Sequence, residues 1–306
     1  MKATTLPPDL QQWAANHLPG LATATVTDAS WPRGDSRIWK VASGSTVAFV
    51  KLYPSRDKFG REIRGCEHAG HALTADEAPQ VIAANDRLPA VILTALTGAV
   101  VRGLQLETTE EQRVHQLAGR LLRRWHDSPT AISVIDRENI TAAIAAQASE
   151  SATCLDRIGD QLSPAARDLV AQVSTDLVDH VQHLPHAFRH GDYSPRNWLW
   201  DQAAGHHSII DFEEAAPGIA VEDLVWLCGA MWPDRPDLRR AFLTGYGREL
   251  SPHEDRALIL LTTRLGASYL ATGLAKQDQV LIDRGRTVVD RMVRAVSTAS
   301  PVAPHP

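Results

Sequence analysis

The chain changes texture once, near residue 100, and that change restricts the folds open to it. Residues 22–53 are rich in Thr, Val, Ile and Trp, broken by turn clusters at 31–36 and 42–45. Short β-branched and aromatic runs between turns are strand signals. Three antiparallel strands are expected at about 22–29, 37–42 and 46–52, after a helix over 6–18 bounded by Pro7-Pro8 and Pro19-Gly20. A helix over 59–73 and strands at 79–82 and 90–94 complete this part. From Glu107 onward apolar residues recur at helical spacing, through Val114, Leu117, Leu121 and Trp125. Further helices fit 136–150, 163–183, 222–231, 236–248, 252–272 and 277–297, interrupted by a hairpin of Trp198-Leu199-Trp200 and Ser208-Ile209-Ile210. A β-rich first third before a helical remainder predicts an α+β fold in two lobes. The expected division is 1–96 for a helix-plus-sheet lobe, 97–299 for a helical lobe, and 300–306 for a proline-rich disordered tail.

Composition excludes more than it selects. With 306 residues, 44% hydrophobic and 22% charged, the chain has ample material for a buried core. A net charge of -5 and a pI near 6.2 give no reason to expect a nucleic-acid partner. Cys66, Cys154 and Cys228 are scattered without C-x-x-C spacing, which reads as reduced structural thiols. The first ten residues lack a signal-peptide profile. The richest apolar stretch, Ala257 to Ala275, is interrupted by Arg264, Ser268 and two glycines. The expectation is a cytoplasmic protein with no membrane partner.

The chemistry concentrates in His190-Gly191-Asp192-Tyr193-Ser194-Pro195-Arg196-Asn197 and in Ile209-Ile210-Asp211-Phe212-Glu213. An Asp or Asn alone in a loop commonly caps a helix. Here Gly191 and Pro195 interrupt any helix, and an Asp and Asn five apart in a loop can converge on one point. A second Asp closing an apolar strand, with no helix beginning before Val221, adds the other part of a phosphoryl-transfer centre. In that chemistry Asp192 takes the proton of the attacking hydroxyl, and Asn197 and Asp211 hold Mg²⁺. His190 reads as a scaffold residue donating to backbone. Glu213 or Glu214 is a candidate for a further metal or substrate contact.

A phosphate-anchoring lysine fits Lys51, which ends the run Thr46-Val47-Ala48-Phe49-Val50. Alone it reads as a surface lysine at a strand end. A glutamate on the next helix would make it a functional one; Glu67 is preferred as that partner, with Glu62 as runner-up. Arg33-Gly34-Asp35-Ser36 joins the first strands where a phosphate-covering loop would lie, but it has one glycine, and no G-x-x-x-x-G-K-[ST] occurs.

Taken in order, these residues and the hinge-like Leu93-Thr94-Ala95-Leu96-Thr97-Gly98 resemble the aminoglycoside phosphotransferase and choline kinase superfamily. The segment Leu117 to His126 is similar to that family's helix ending in Leu-His, with Trp125 in place of Leu. The resemblance spans about residues 25 to 230 and implies a protein-kinase-like fold using Mg²⁺ and ATP or GTP. It implies Asp192 as base, Asn197 and Asp211 as metal ligands, and Lys51 on the α/β-phosphates, oriented by Glu67. Backbone groups of Thr94 and Leu96 would meet the purine, and Ser36 would lie near the phosphates. Arg196, directly before Asn197, departs from the small residue common there and is a candidate phosphate or anion contact.

About ten residues separate Asp211 from the next expected helix at Glu222, too few for a protein kinase's activation segment. The acceptor is therefore expected to be a small-molecule hydroxyl, most readily on an antibiotic, and the enzyme a monomer or homodimer. A metabolic kinase acting on choline, homoserine or a sugar is the alternative, and a silent kinase-like binding protein a third. Residues 107–180 carry twelve Asp/Glu against seven Arg, which permits a polycationic aminoglycoside, whereas the segment after Trp232 is Arg-rich. Trp125, Trp226 and Trp232 are candidates to stack on a ring.

Overall fold

The computed structural model describes residues 4–31, 35–129, 132–181 and 183–299. The loop residues Arg33 and Gly34 and the tail 300–306 lie outside them. Elements in chain order are α1 Pro8–Ala15, β1 Thr25–Asp28, β2 Arg37–Ser43, β3 Thr46–Leu52, α2 Arg56–Ala72, β4 Val81–Asn85, β5 Ala90–Thr94 and β6 Ala99–Val100. There follow α3 Thr108–Asp127, α4 Val134–Ile158, α5 Pro164–Val181, β7 His186–Arg189, β8 Trp198–Asp201, β9 His206–Ile209 and β10 Ala216–Ile219. The last four are α6 Val225–Ala230, α7 Pro236–Tyr246, α8 Pro252–Lys276 and α9 Gln279–Ala299.

The chain divides by contacts into two compact units: Met1–Gln105 with His190–Ala216, and Leu106–Arg189 with Pro217–Pro306. This groups the β8–β9 hairpin and the Asp192 loop with the sheet, whereas the expected division put everything after residue 96 in the helical lobe.

In the first unit the strands form one antiparallel sheet in the order β1-β2-β3-β5-β4. Strand side chains alternate between faces. Trp39, Val41, Ala48 and Val50 therefore share one face, where they are buried with Leu10 and Ala14 of α1. Lys51 falls on the other face of β3, and it too is buried. Helix α2 begins with Ser55 accepting from the Lys58 N–H and Asp57 in the first turn, both favourable at a helix N-terminus. A second sheet, β6-β8-β9, carries the hairpin expected from Trp198 and Ile209.

In the second unit α3 buries Val114, Ala118, Leu121, Leu122 and Trp125 at the spacing read from the sequence. It crosses α7 closely: a Cβ on Gly119 would stand 2.0 Å from the Phe242 carbonyl oxygen, and one on Gly245 1.8 Å from that of Gln116. Gly119→Ala is therefore expected to force the helices apart and to cost about 1–3 kcal/mol, the usual range for overpacking, read as a lowered thermal midpoint. At the end of α3, His126 bonds Asp223 Oδ2 at 3.0 Å and the Tyr246 hydroxyl at 2.8 Å. Helix α8 is the one described helix long and apolar enough to cross a membrane by composition; 61% of that window is buried, as in a core helix.

Three differences from the sequence reading have local causes. Strands β6, β7 and β10 have two to four residues, too short for alternation to register. Helix α4 runs to Ile158 because Ile140, Ile144, Ala148, Ser151, Cys154 and Ile158 keep one face buried through a weak helix-forming stretch. The helix expected over 222–231 is a 3₁₀ turn, Ala220–Leu224, followed by α6.

Candidate active site

The first unit brings together most of the residues singled out in the sequence. Lys51 Nζ donates to Glu62 Oε2 at 2.7 Å and to Asp211 Oδ1, and stands 3.3 Å from Glu213 Oε2. The three carboxylates lie within 4.8 Å of one another, closed by this lysine. Burial works against the Lys51 charge, but Asp211, Glu62 and Glu213 outweigh it and hold its pKa above the usual lysine value. For Glu62 the balance tips the other way. Complete burial, aided by Asp211, holds its carboxyl above the ordinary glutamate range despite Lys51.

Glu62 therefore takes the place expected for Glu67. On α2 the buried face is Phe59, Glu62, Gly65, Cys66 and Ala69. Five residues at about 100° each turn Glu67 roughly 140° away from Glu62, and Glu67 is exposed. Gly65 lets that face close on the Asp211 segment, since a Cβ there would lie 2.3 Å from Phe212 Cβ. The Phe212 N–H, in turn, donates to Glu62 Oε1 at 3.3 Å.

Asp211 has φ 72°; among the described residues only it and Gln277 combine a side chain with positive φ. Aspartate tolerates this region better than most residues, yet the conformation is strained by about 1 kcal/mol and is held by its surroundings. Beside it, Glu213 accepts from Ser36 Oγ at 2.6 Å and Lys58 Nζ at 2.9 Å, and Arg61 Nε donates to its carbonyl at 2.7 Å. Burial alone would raise the Glu213 pKa, but Lys51, Ser36 and Lys58 bring it down to about 2. Lys58 and Arg61 were not singled out in the sequence. Their position in the first two turns of α2, where its buried face begins, is the only local signal they offer.

The Asp192 loop has its own internal order. Asp192 Oδ2 accepts from Asn197 Nδ2 at 2.7 Å, from Arg196 Nε at 2.8 Å and from Arg196 Nη2. Its Oδ1 has no hydrogen-bond partner among the described residues. Burial raises the Asp192 pKa above the usual aspartate value, with Arg196 opposing. Asn197 is 1% exposed, and its Oδ1 is buried without a partner. His190 bonds the Ile210 carbonyl through Nε2 at 3.2 Å and accepts the Asp192 N–H on Nδ1 at 3.4 Å. It is thus a scaffold group, held edge-on by Tyr193 and Phe212 at 5.4 Å each. The Ile210 N–H donates to the Asn197 carbonyl at 3.0 Å, which ties the loop to the Asp211 segment.

The hinge positions differ from each other. The Thr94 N–H is already donated to the Gln80 carbonyl at 2.9 Å, so that donor is committed within the sheet. Leu96 lies past the end of β5, half-buried, with no backbone hydrogen bond among the described residues. Arg196 pairs with Asp192 here, its side chain still partly exposed.

Phosphoryl transfer is the chemistry that asks for these parts together. On a small antiparallel sheet followed by helices, they are the parts of a phosphotransferase of protein-kinase-like fold. The chain belongs to the phosphotransferase enzyme family, whose model matches residues 33–259. No curated protein sequence matches it significantly. Among solved structures, the streptomycin–ATP–APH(2'')-IIa ternary complex is similar with a TM-score of 0.66 and 14% identity, covering 94% of this chain and 97% of that one. ADP-bound aminoglycoside phosphotransferase APH(2'')-Ib gives 0.66 and 14%, with 94% and 99% covered. A putative aminoglycoside phosphotransferase from Ralstonia eutropha JMP134 gives 0.64 and 14%, with 95% and 98% covered. At such identities the likeness is one of fold.

Proposed function

We propose that the protein transfers the γ-phosphoryl group of ATP or GTP to a hydroxyl of a small molecule, with Mg²⁺ as cofactor. An antibiotic, aminoglycoside or other, is the leading acceptor, in resistance or self-protection. The observation that carries this reading is the asymmetry of Asp192. One oxygen is tied by Arg196 and Asn197, and the other is left to receive the acceptor's proton.

The residues present fit a hard cation. Mg²⁺ prefers oxygen ligands, and Asn197 Oδ1 is a buried oxygen without a partner in a loop that the Ile210 N–H ties to the Asp211 segment. When bound, the metal would neutralise charge on the nucleotide phosphates. The chain's own residues do the rest. Asp192 Oδ1 orients and takes the hydroxyl proton, and Arg196 and Asn197 keep the carboxylate turned toward it. Lys51, held by Glu62, engages the α/β-phosphates; Ser36 lies near them, and the Leu96 backbone meets the purine. Such an enzyme would work in the cytoplasm, as a monomer or homodimer. Small acceptors are favoured by the passage of the chain from Asp211 almost directly into β10 at Ala216, which leaves no room for a protein-docking segment.

The test is to incubate the protein with labelled ATP or GTP, Mg²⁺ and a panel of antibiotics, choline, homoserine and sugars. Phosphate on an antibiotic hydroxyl supports the reading, phosphate on a metabolite moves the enzyme to the metabolic class, and nucleotide binding without transfer to any compound favours a silent binding protein. A finer prediction concerns Arg196. Arg196→Ala is expected to lower kcat by about 10- to 100-fold, the worth of hydrogen bonds to a charged group. Nucleotide KM should stay unchanged, and Arg196→Lys should recover part of the loss. An unchanged kcat would show that the Arg196 contact does not hold Asp192 for catalysis.

A further inference from the structure

The second unit contains a half-open cavity of about 210 Å³ between α6, α8 and α9, lined by Trp226, Tyr269, Leu265, Val288, Arg284 and Arg291. We propose that this cavity binds a single aromatic ring carrying an anionic substituent, of the hydroxybenzoate kind.

Size argues first. An apolar cavity of about 150 Å³ accommodates benzene, so about 210 Å³ suits one substituted ring. The lining argues next. Trp226 and Tyr269 offer two half-buried aromatic faces over a floor of Leu265 and Val288. Of the three tryptophans singled out in the sequence, Trp125 and Trp232 are spent in the core at 0% and 4% exposure. Trp226 alone of the three reaches the cavity.

Charge selects the substituent. Among the described residues no aspartate or glutamate lines the cavity, so none of them would compensate a polycation there. The two guanidiniums have different duties. Arg291 Nη1 donates to the Gly229 and Ala230 carbonyls at 3.0 and 3.2 Å, and Nη2 to Asp234. It thus closes the end of α6 and has its own carboxylate. Arg284 lies 5.6 Å from the centroid of the Tyr269 ring and has no carboxylate partner among the described residues. A guanidinium stacked on an aromatic face keeps its in-plane N–H fork for a carboxylate. Ring, apolar floor and uncommitted guanidinium together match an aromatic acid.

The test reads binding, so it stands apart from turnover. The purified full chain is titrated calorimetrically with 4-hydroxybenzoate, with phenol as the neutral analogue and streptomycin as the polycation. The expected result is saturable 4-hydroxybenzoate binding that phenol matches only about tenfold more weakly. Arg284→Ala and Trp226→Leu should each weaken it by about tenfold or more, with Arg284→Lys intermediate. Streptomycin should not displace it. Arg284 is exposed, so its replacement should leave the thermal midpoint in place and make the affinity loss local. No saturable binding, equal affinity for phenol, or full affinity in both Arg284→Ala and Trp226→Leu would overturn the proposal.

Discussion

Asp192→Asn is expected to remove about 10²–10⁴ of the turnover on whichever acceptor the enzyme uses, the range a positioned general base contributes. The substitution keeps the shape of the side chain. It removes the negative charge that would accept the hydroxyl proton and that gathers three N–H donors on Oδ2. Lys51 and Glu62, which we propose serve the nucleotide, are untouched, so nucleotide affinity should be retained. The expected pattern is a collapse of kcat with nucleotide Kd unchanged, measured by steady-state kinetics beside calorimetric titration. Turnover near that of the native protein would remove Asp192 from the chemistry.

The second large effect is on stability. Lys51→Met leaves Glu62, Asp211 and Glu213 within 4.8 Å of one another without the lysine that joins them. Glu213 keeps Lys58 and Ser36. Glu62, with 0% side-chain exposure, keeps the long bond from the Phe212 N–H and the neighbouring Tyr53 hydroxyl, neither of which carries a charge. Breaking a buried pair in this way typically costs about 3–5 kcal/mol, enough to lower the thermal midpoint by several degrees. The loss should depend on pH. The Glu62 carboxyl is already held above its ordinary range, and without Lys51 it rises further. A carboxyl with a raised folded-state pKa contributes stability below its unfolded value and loses it as pH climbs through the folded one. The variant should therefore lie nearest the native protein in mild acid and fall furthest behind in mild alkali. Replacing both members, as Lys51→Met with Glu62→Leu, should restore much of the midpoint without restoring phosphotransfer, because apolar residues can substitute for a buried pair but cannot hold phosphate. An equally unstable double variant would mean that the pair is not the source of the loss.

The strands around Lys51 were legible because their alternation is local: Val50 and Lys51 face opposite ways in any regular strand. The Asp192–Asn197 spacing was legible for a similar reason, since a loop broken by Gly191 and Pro195 leaves few conformations between them. Strands β6, β7 and β10 were not, because two to four residues carry no period. Nor was the partner of Lys51. Glu62 and Glu67 sit on the same helix, and the sequence pattern left its buried face uncertain by more than the angle that separates them.

What the sequence alone determined was the order of the longer elements and the candidate groups Lys51, Asp192, Asn197 and Asp211. The tertiary structure decided how those groups are shared. It chose Glu62 over Glu67, drew Asp211 into a left-handed conformation against a lysine 160 residues away, and gave Glu213 to Ser36 and Lys58. It also tied one oxygen of Asp192 and left the other unbonded. The reason is one of range. Periodicity and turn chemistry act over a few residues, whereas these choices follow from which faces pack together once the sheet and α2 have formed.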